Sequence, residues 1–351
     1  MKRDIPDSNQ FNLLRMLDDY ARTEGIALHE DATRVKFIKQ MDDVVKGHLN
    51  DPKLVHGFRI ESMFAHMVAA LGGARLLTEE DSGAFFYLQK KKIRRPDFRI
   101  ITNNDKQFLI EVKNFHQKNP KKPYKIKREY LESLQRYAET CDLPLKIAIY
   151  WSRWKIWTLT DSHSFEEDRS NFKISLENAM IRNEMIELGD QMIGTPPPLS
   201  FRVYADSQQP QTIDKDGKAF FTIKKLSFFA NNLEIVDEIE QKLAWFFWLH
   251  GNWDNFDETV KVVDNKLKYI DYAISPIDWI HEQGFAFLGS LSEMISARYN
   301  HFTSPEGRID ALLPNHQPEQ LRVLIPPNYS GSVLKLWRFY IQPNFDDIEK
   351  S

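Results

Sequence analysis

Two short apolar runs joined by a polar turn constrain the fold of this chain most. Residues 97–101 and 107–113 have the length of strands, and the Asn- and Asp-rich segment between them favours a reversal of the chain. The pattern therefore predicts a β-hairpin. Asp97 opens its first strand, and Glu111 and Lys113 close its second strand on one shared face, because side chains two residues apart point the same way. Such clustered charge on a strand needs solvent or a metal ion.

Positive charge is concentrated around this hairpin. Between residues 86 and 128 the chain has fourteen Lys and Arg but three Asp and Glu, a local charge of +11 in a chain of net charge −3. Such a patch attracts a phosphate backbone through Coulomb forces and counterion release, and the alternative is a solvated lysine-rich face. The predicted nucleic-acid contacts are Lys90, Lys91, Lys92, Arg94, Arg95, Lys121, Lys122 and Lys125.

The elements around the hairpin predict a compact α/β unit. Their order is helix, three strands, helix and two strands, which allows helices to cover a mixed sheet. A glycine pair at 72–73 ends the first helix, and Pro144 bars continuation of the second. The predicted elements are a helix over 58–71, strands over 84–89, 97–101 and 107–113, a helix over 127–140, and strands over 145–151 and 155–159.

Length and composition predict more than one structural unit. The chain has 351 residues, of which 42% are hydrophobic and 28% charged, as in soluble globular proteins. A Gly-Thr-Pro-Pro-Pro segment at 194–198 is the strongest boundary signal, and a helix is predicted over 172–193 before it. The predicted divisions are an N-terminal helical extension at 1–49, a catalytic unit at 50–165, a helix and linker at 166–199, and a mixed α+β domain at 200–351 for recognition, dimerisation or partner binding.

Several functional classes are disfavoured by the residues present. Cys141 is the single cysteine, so the sequence predicts neither an internal disulfide nor a thiolate zinc cluster, and the histidines lack zinc spacing. No signal-peptide core or spanning apolar run occurs, which predicts a cytoplasmic protein without a membrane partner. No P-loop pattern occurs, so nucleotide-driven translocation would need a motor subunit.

The residue types at the hairpin suit phosphodiester hydrolysis. Two carboxylates can hold Mg²⁺ or Mn²⁺ through oxygen ligands and leave positions for water and a phosphate oxygen. Lys113, beside Glu111, can orient that water or neutralise the phosphate. An acid-x-Lys tripeptide alone carries no weight, because the chain has five. Only residues 111–113 follow an apolar strand and a preceding Pro-Asp pair.

Pro96-Asp97 followed by Glu111-Val112-Lys113, with a helix bearing Glu61 upstream, resembles the PD-(D/E)XK phosphodiesterases, also called restriction-endonuclease-like nucleases. The resemblance covers about residues 50–162. It implies an αβββαβ core and Mg²⁺ or Mn²⁺ dependence. It further implies that Asp97, Glu111 and the Val112 carbonyl hold the metal, that Lys113 orients the water, and that Glu61 is an additional helical acid. Gln135, on the helix where exonuclease members place a Gln, is a further candidate near the site.

Three functions stay open on the sequence. The first is a metal-dependent nuclease, a DNA endonuclease of restriction or phage-defence type, acting as a homodimer or with a regulatory or motor partner. The second is a nuclease-like fold kept as a nucleic-acid-binding or assembly module without cleavage. The third is a surface hairpin with incidental charges. The set Asp97, Glu111 and Lys113 favours the first, since a binding module gains nothing from carboxylates that face phosphate.

Overall fold

Three helices open the chain in the computed structural model, which describes residues 1, 9–81, 85–88, 90–277 and 279–344. They are α1 (Asn9–Glu24), α2 (Asp31–Leu49) and α3 (Pro52–Leu71). Asp51 caps α3, because its side chain accepts hydrogen bonds from the N–H groups of the first turn. Gly72 ends α3 with a φ of 81°, in the left-handed region that glycine adopts without strain. The predicted helix over 58–71 is confirmed and begins earlier.

A five-stranded mixed sheet follows α3 and contains the predicted hairpin. The elements are β1 (Ala74–Glu79), β2 (Phe98–Thr102), β3 (Gln107–Phe115), β4 (Tyr124–Lys127), α4 (Arg128–Cys141), β5 (Leu145–Trp151) and β6 (Ile156–Asp161). All these strands except β4 join in the order β1-β2-β3-β5-β6. The crossover through α4 makes β3 and β5 parallel, and the other neighbours are antiparallel. The chain is thus an α/β protein with a mixed sheet, as predicted.

The first of the three strands lies earlier than predicted. β1 occupies residues 74–79, directly after the glycine pair, and pairs with β2. The described part of the predicted strand, 85–88, forms no strand, while residues 84 and 89 lie outside the described residues. Phe86 and Leu88 are fully exposed, so this apolar run does not face the core. The prediction relied on apolar composition and therefore placed the strand too late in the chain. β1 is a mostly exposed edge strand, so its hydrophobic pattern is weak.

The two faces of this sheet are covered by different helices. On one face α3 packs against alternate residues of β3, including Phe108, Ile110 and Val112. On the other face α4 packs against Leu109 and against residues of β5. Because side chains alternate along a strand, Glu111 and Lys113 lie on the α4 face. This assignment positions the candidate site.

The predicted helix over 172–193 is wrong. This stretch contains β8 (Asn171–Ile174), the short helix α5 (Leu176–Ile181), a 3₁₀ turn at Met185–Leu188 and the start of β9 (Met192–Thr195). With β7 (Glu166–Asp168) and β4, β8 forms a small antiparallel sheet. Pairing with β4 extends the chain up to residue 174, and Gly189, with a φ of 90°, ends the 3₁₀ turn. Tertiary strand pairing therefore overrode the local helical spacing.

The remaining chain contains helices and antiparallel strands. Its elements are β10 (Leu199–Ala205), β11 (Thr212–Ile213), β12 (Ala219–Phe220), β13 (Ile223–Ala230), β14 (Leu233–Ile235), α6 (Glu238–His250), β15 (Asn255–Val263), β16 (Lys266–Ser275), β17 (Ala286–Ser290), α7 (Leu291–Thr303), α8 (Pro318–Leu321) and β18 (Trp337–Phe339). An antiparallel sheet has the order β14-β13-β10-β16-β15, a smaller one the order β17-β9-β18, and β11 pairs with β12. Among the described residues, no helix is long and apolar enough to cross a bilayer.

Residues from both sides of the predicted boundary share one hydrophobic core. The cluster contains Phe64 of α3, Trp157 of β6, Tyr299 of α7 and Leu334. The segment predicted as a linker begins inside β9, where the Thr195 side chain is fully buried and its hydroxyl donates to the Lys335 carbonyl. The first sheet is therefore braced by the C-terminal half. The functional roles of the predicted divisions stay predictions.

Candidate functional site

The β2–β3 hairpin brings Asp97 opposite Glu111. Phe98 pairs with Ile110, and continuing this antiparallel register by one step pairs Asp97 with Glu111. Directly opposed residues share a face of the sheet, with Cβ atoms about 5 Å apart. One oxygen of Asp97, Oδ2, also accepts the backbone N–H of Val112 at 2.6 Å. The hairpin thus holds two carboxyl groups side by side.

The carboxyl group of Glu111 has one occupied and one unpaired oxygen. Its side chain is 1% exposed, and Oε1 accepts hydrogen bonds from the Lys113 ammonium and the Tyr130 hydroxyl. The other oxygen, Oε2, is buried without a hydrogen-bond partner among the described residues. An unpaired buried carboxylate oxygen costs free energy. Oε2 is therefore the atom of Glu111 that a cation would stabilise.

The electrostatics of the pair favour a cation. Burial and the neighbouring Glu111 charge raise the pKa of Asp97 well above its usual value, and Lys113 and the Val112 N–H offset this only in part. Burial lowers the pKa of Lys113, but the charges of Glu111 and Asp97 more than reverse this effect. Lys113 therefore stays an ammonium. One ammonium does not neutralise two carboxylates, so a divalent cation would lower the energy of the site.

Tyr130 is a residue of the site that the sequence did not reveal. It lies in the first turn of α4, on the apolar stripe that predicts core packing. Its hydroxyl donates to Glu111, and its ring lies below two cations, with Lys113 Nζ 5.2 Å and Arg94 Cζ 4.7 Å from the ring centroid. Burial and Glu111 raise its pKa, so the hydroxyl stays a donor. The sequence contained one signal for this role. Tyr130 lies at the end of the apolar stripe that faces the sheet, and a buried tyrosine hydroxyl needs a hydrogen-bond partner.

Glu61 lies near the site but outside its hydrogen-bond network. It projects from α3, on the sheet face opposite to Glu111 and Lys113, and makes no hydrogen bond or ion pair with a described residue. Burial raises its pKa, Lys113 lowers it, and Asp81, Glu111 and Glu79 raise it further. The charges of Glu61 and the hairpin thus influence each other without direct contact.

The structure places Gln135 apart from the carboxylates. Its side-chain amide donates to the Ser162 hydroxyl at 3.4 Å, beyond the end of β6. Tyr137, two residues further along α4, is half-buried and donates to Glu80, which also accepts from Arg99 at 2.8 Å. The tertiary structure therefore brings together Asp97, Glu111, Lys113 and Tyr130, but not Gln135.

The predicted nucleic-acid contacts fall into two groups. Lys125 is paired with Asp168 at 2.6 Å, Arg94 stacks over Tyr130, and Arg95 donates to the Asp81 carbonyl at 2.9 Å. The other predicted contacts are exposed and form no ion pair with a described residue. This second group consists of Lys90, Lys91, Lys92, Lys121 and Lys122. The ammonium groups of these five lysines are accessible to a phosphate group.

The carboxylate pair fits the chemistry of Mg²⁺ or Mn²⁺. The described residues include no group of three or more His, Cys, Asp or Glu side chains able to hold a metal ion together. Mg²⁺, however, commonly keeps several waters and binds through one or two carboxylates plus substrate phosphate. Asp97 and the unpaired oxygen of Glu111 satisfy that smaller requirement. The roles of Val112 and Glu61 toward a metal stay predictions.

Comparison with known proteins finds similarity among solved structures alone. No family model and no curated protein matches the chain. Among solved structures, a matching chain is the 1.6 Å structure of Archaeoglobus fulgidus Hjc, a Holliday junction resolvase from an archaeal hyperthermophile. It is 19% identical, the match covers 32% of this chain and 84% of that chain, and the TM-score is 0.25. This similarity is too low to place the chain in a family.

Proposed function

We propose that this chain is a metal-dependent nuclease that hydrolyses phosphodiester bonds at the β2–β3 hairpin. The observation that carries the proposal is the convergence of Asp97, Lys113 and the unpaired, buried Oε2 of Glu111. A surface hairpin with incidental charges would leave such an oxygen in water. A module that only binds nucleic acid would gain nothing from two carboxylates facing phosphate.

The roles follow from the protonation states. Asp97 and Glu111 would hold Mg²⁺ or Mn²⁺, which supplies charge stabilisation and a water of lowered pKa when bound. Lys113 keeps its proton, because its pKa is raised. It therefore acts as a hydrogen-bond donor that orients the attacking water or neutralises the scissile phosphate, and not as a general base. Tyr130 holds Glu111 through Oε1 and leaves Oε2, the oxygen that would bind a cation, unpaired.

We further assign the unit from α3 to β6 to the restriction-endonuclease-like fold. The support is the order of the elements that form and cover the five-stranded sheet, α3-β1-β2-β3-α4-β5, together with the acidic hairpin at β2–β3; β4, between β3 and α4, belongs to another sheet. With this assignment, Glu61, which lies on α3 and interacts electrostatically with Lys113 and Glu111, would be the additional helical acid of the site.

The proposed substrate is DNA, and the proposed setting is restriction or phage defence. The exposed lysines at 90–92 and 121–122 lie in the segments that flank the acidic hairpin on both sides. They would draw a polyanion towards carboxylates that otherwise repel it. The C-terminal half, which is packed against the first sheet, would supply recognition, a homodimer contact or a surface for a regulatory or motor partner.

Cleavage assays test the proposal directly. The purified protein is incubated with linear, circular and single-stranded DNA and with RNA, in Mg²⁺, Mn²⁺ or EDTA. We expect cleavage with either metal, none in EDTA and none by Lys113→Ala. Lys146→Ala is the matched control, because Lys146 forms a buried ion pair with Glu184 at 2.6 Å on the other face of the same sheet. We expect the folded Lys146→Ala variant to cleave DNA as the wild type does.

Three outcomes would count against the proposal. Cleavage that persists in EDTA would exclude the metal, and cleavage by Lys113→Ala would exclude the role of the ammonium. Binding without cleavage of every substrate in every metal would favour the second function, a nuclease-like binding or assembly module.

A further inference from the structure

A groove between α6 and α7 is lined by cationic and aromatic side chains, and shares none of them with the site described above. Its volume is about 580 Å³, within the range of small-molecule sites, about 300–1,000 Å³. His250 and Trp245 reach it from α6, and Arg298 and His301 from α7. The groove therefore combines positive charge with aromatic surface.

The positive charge in this groove has no protein counter-charge. Arg298 is half-buried and makes no hydrogen bond or ion pair with a described residue, and its guanidinium Cζ lies 5.8 Å from the centroid of the Phe246 ring. Burial lowers the pKa of Arg298. Burial and the charges of Arg298 and His301 lower the pKa of His250 to about 4. No carboxylate of a described residue contributes to either shift.

The guanidinium donors of Arg298 have no protein acceptor among the described residues, so a ligand can supply one. The planar set of donors matches a carboxylate or a phosphate. An arginine with no carboxylate beside it attracts anions, and this attraction grows with the charge of the anion. Phosphate is therefore favoured over a carboxylate, because it carries more charge and more acceptor oxygens.

The aromatic lining indicates what the phosphate is attached to. Trp245 is 47% exposed at the groove and stacks in parallel on Trp248, with ring planes 8° apart. An exposed, braced indole offers a flat face on which a nucleobase can stack. Phe302 adds a second partly buried ring to the lining. The groove thus offers a cation for a phosphate and a ring for a base.

We propose that the α6–α7 groove binds a nucleotide unit, with its phosphate on Arg298 and its base stacked on Trp245. The shared chemistry is a phosphate ester of a nucleoside, and its source is a free nucleotide or a single nucleic-acid strand. This binding uses neither Asp97, Glu111 nor a metal ion. It stands even if the proposed nuclease function fails.

Binding measured in EDTA tests this site without cleavage. Thymidine 5′-monophosphate and 5′-phosphorylated tetrathymidylate are titrated calorimetrically into the full chain. We expect Arg298→Gln to weaken binding about tenfold or more, and Trp245→Ala to weaken it several-fold. Lys261→Gln removes one positive charge from the exposed edge strand β15, away from both sites, and should change mononucleotide affinity less than about twofold.

The two ligands separate the sources. Equal affinity for both indicates a free nucleotide, and binding of the tetranucleotide alone indicates a strand. Because Arg298 makes no hydrogen bond or ion pair with a described residue, Arg298→Gln should keep the melting temperature of the wild type, so lost binding would not reflect unfolding. Unchanged affinity in both Arg298→Gln and Trp245→Ala, or no binding of either ligand at millimolar concentration, would overturn the proposal.

Discussion

Tyr130, in the first turn of α4, donates its hydroxyl hydrogen bond to Glu111, in the middle of β3. The oxygen that accepts this bond also accepts the Lys113 ammonium, and the second oxygen has no partner among the described residues. Two donors on one oxygen fix the rotation of the carboxyl group. Helix α4 thereby orients a strand residue that the proposed chemistry requires.

Tyr130→Phe removes this donor and keeps the ring under Arg94 and Lys113. We expect cleavage to slow about 10- to 100-fold, because a hydrogen bond to a charged group contributes about 1.5–3 kcal/mol. Initial rates in saturating Mg²⁺ check this. Tyr137→Phe is the matched control, since Tyr137 lies on the same helix but donates to Glu80. Equal rates in the two variants would contradict a positioning role for Tyr130.

Asp97→Asn should stabilise the protein at pH 8 while abolishing cleavage. The folded pKa of Asp97 lies above its unfolded value because of burial and the Glu111 charge. The folded state therefore binds more protons between the two pKa values, and wild-type stability falls as pH rises through that window. The advantage of the variant should vanish below the unfolded pKa. Urea unfolding at pH 8 and below pH 4 measures this difference.

Asp168→Asn serves as the control for that experiment. Lys125 lowers the pKa of Asp168, so its carboxylate is favoured in the folded state. No stabilisation is expected at pH 8. A gain in both variants would show that general charge removal, and not the repulsion between Asp97 and Glu111, explains the result.

Mg²⁺ and Mn²⁺ should raise the melting temperature of the wild type. A cation that binds the folded site relieves the repulsion between Asp97 and Glu111, and at ten times its Kd it adds about 1.4 kcal/mol, or about 2 °C. Differential scanning fluorimetry with each metal checks this. Asp97→Asn and Glu111→Gln should lose the shift, and Glu167→Gln, an exposed acid paired with Arg128, should keep it. A shift retained in all variants would place the metal elsewhere.

Lys113→Met should destabilise the fold by about 3–5 kcal/mol, because it leaves the Glu111 charge buried and unpaired. Adding Glu111→Gln should recover much of this loss, since the buried charge is then gone. Urea unfolding of both single variants and the double variant gives the coupling free energy. Additive changes in the free energy of unfolding would show that Lys113 and Glu111 contribute to stability independently and not as a pair.

Replacing Lys121 and Lys122 together by Gln should weaken DNA binding and reduce its salt dependence. Each lost phosphate contact lowers the slope of log K against log salt by about 0.9. Fluorescence anisotropy in EDTA at several salt concentrations measures the slope. Lys125→Gln should change it less, because Asp168 already neutralises Lys125. An unchanged slope in the double variant would remove this loop from the interface.

Short-range sequence patterns were sufficient to predict the central residues of the candidate site. The hairpin of β2 and β3 follows from two apolar runs and a polar turn, and its register places Asp97 opposite Glu111. Alternation along β3 puts Lys113 on the same face as Glu111. These relations involve residues close in sequence, so short-range periodicity contains them. The helix α4 and strands β5 and β6 were predicted for the same reason.

Contacts between distant residues decided the rest. β8 became a strand because β4 pairs with it, against a helical spacing over 172–193. Glu61 lies on the opposite sheet face because α3 packs against Phe108, Ile110 and Val112. The packing of α4 likewise decides which part of the structure each of its turns faces. Gln135 therefore contacts Ser162, and Tyr130 contacts Glu111.

The sequence by itself thus determined the acidic hairpin, its basic flanks and the order of the surrounding elements. Only the tertiary structure decided which oxygen of Glu111 stays unpaired, because that depends on Tyr130 reaching the strand from another element. It also decided that an arginine of α7 faces aromatic rings of α6 without a carboxylate beside it. Side-chain partners across elements depend on packing geometry, which periodicity along the chain does not contain.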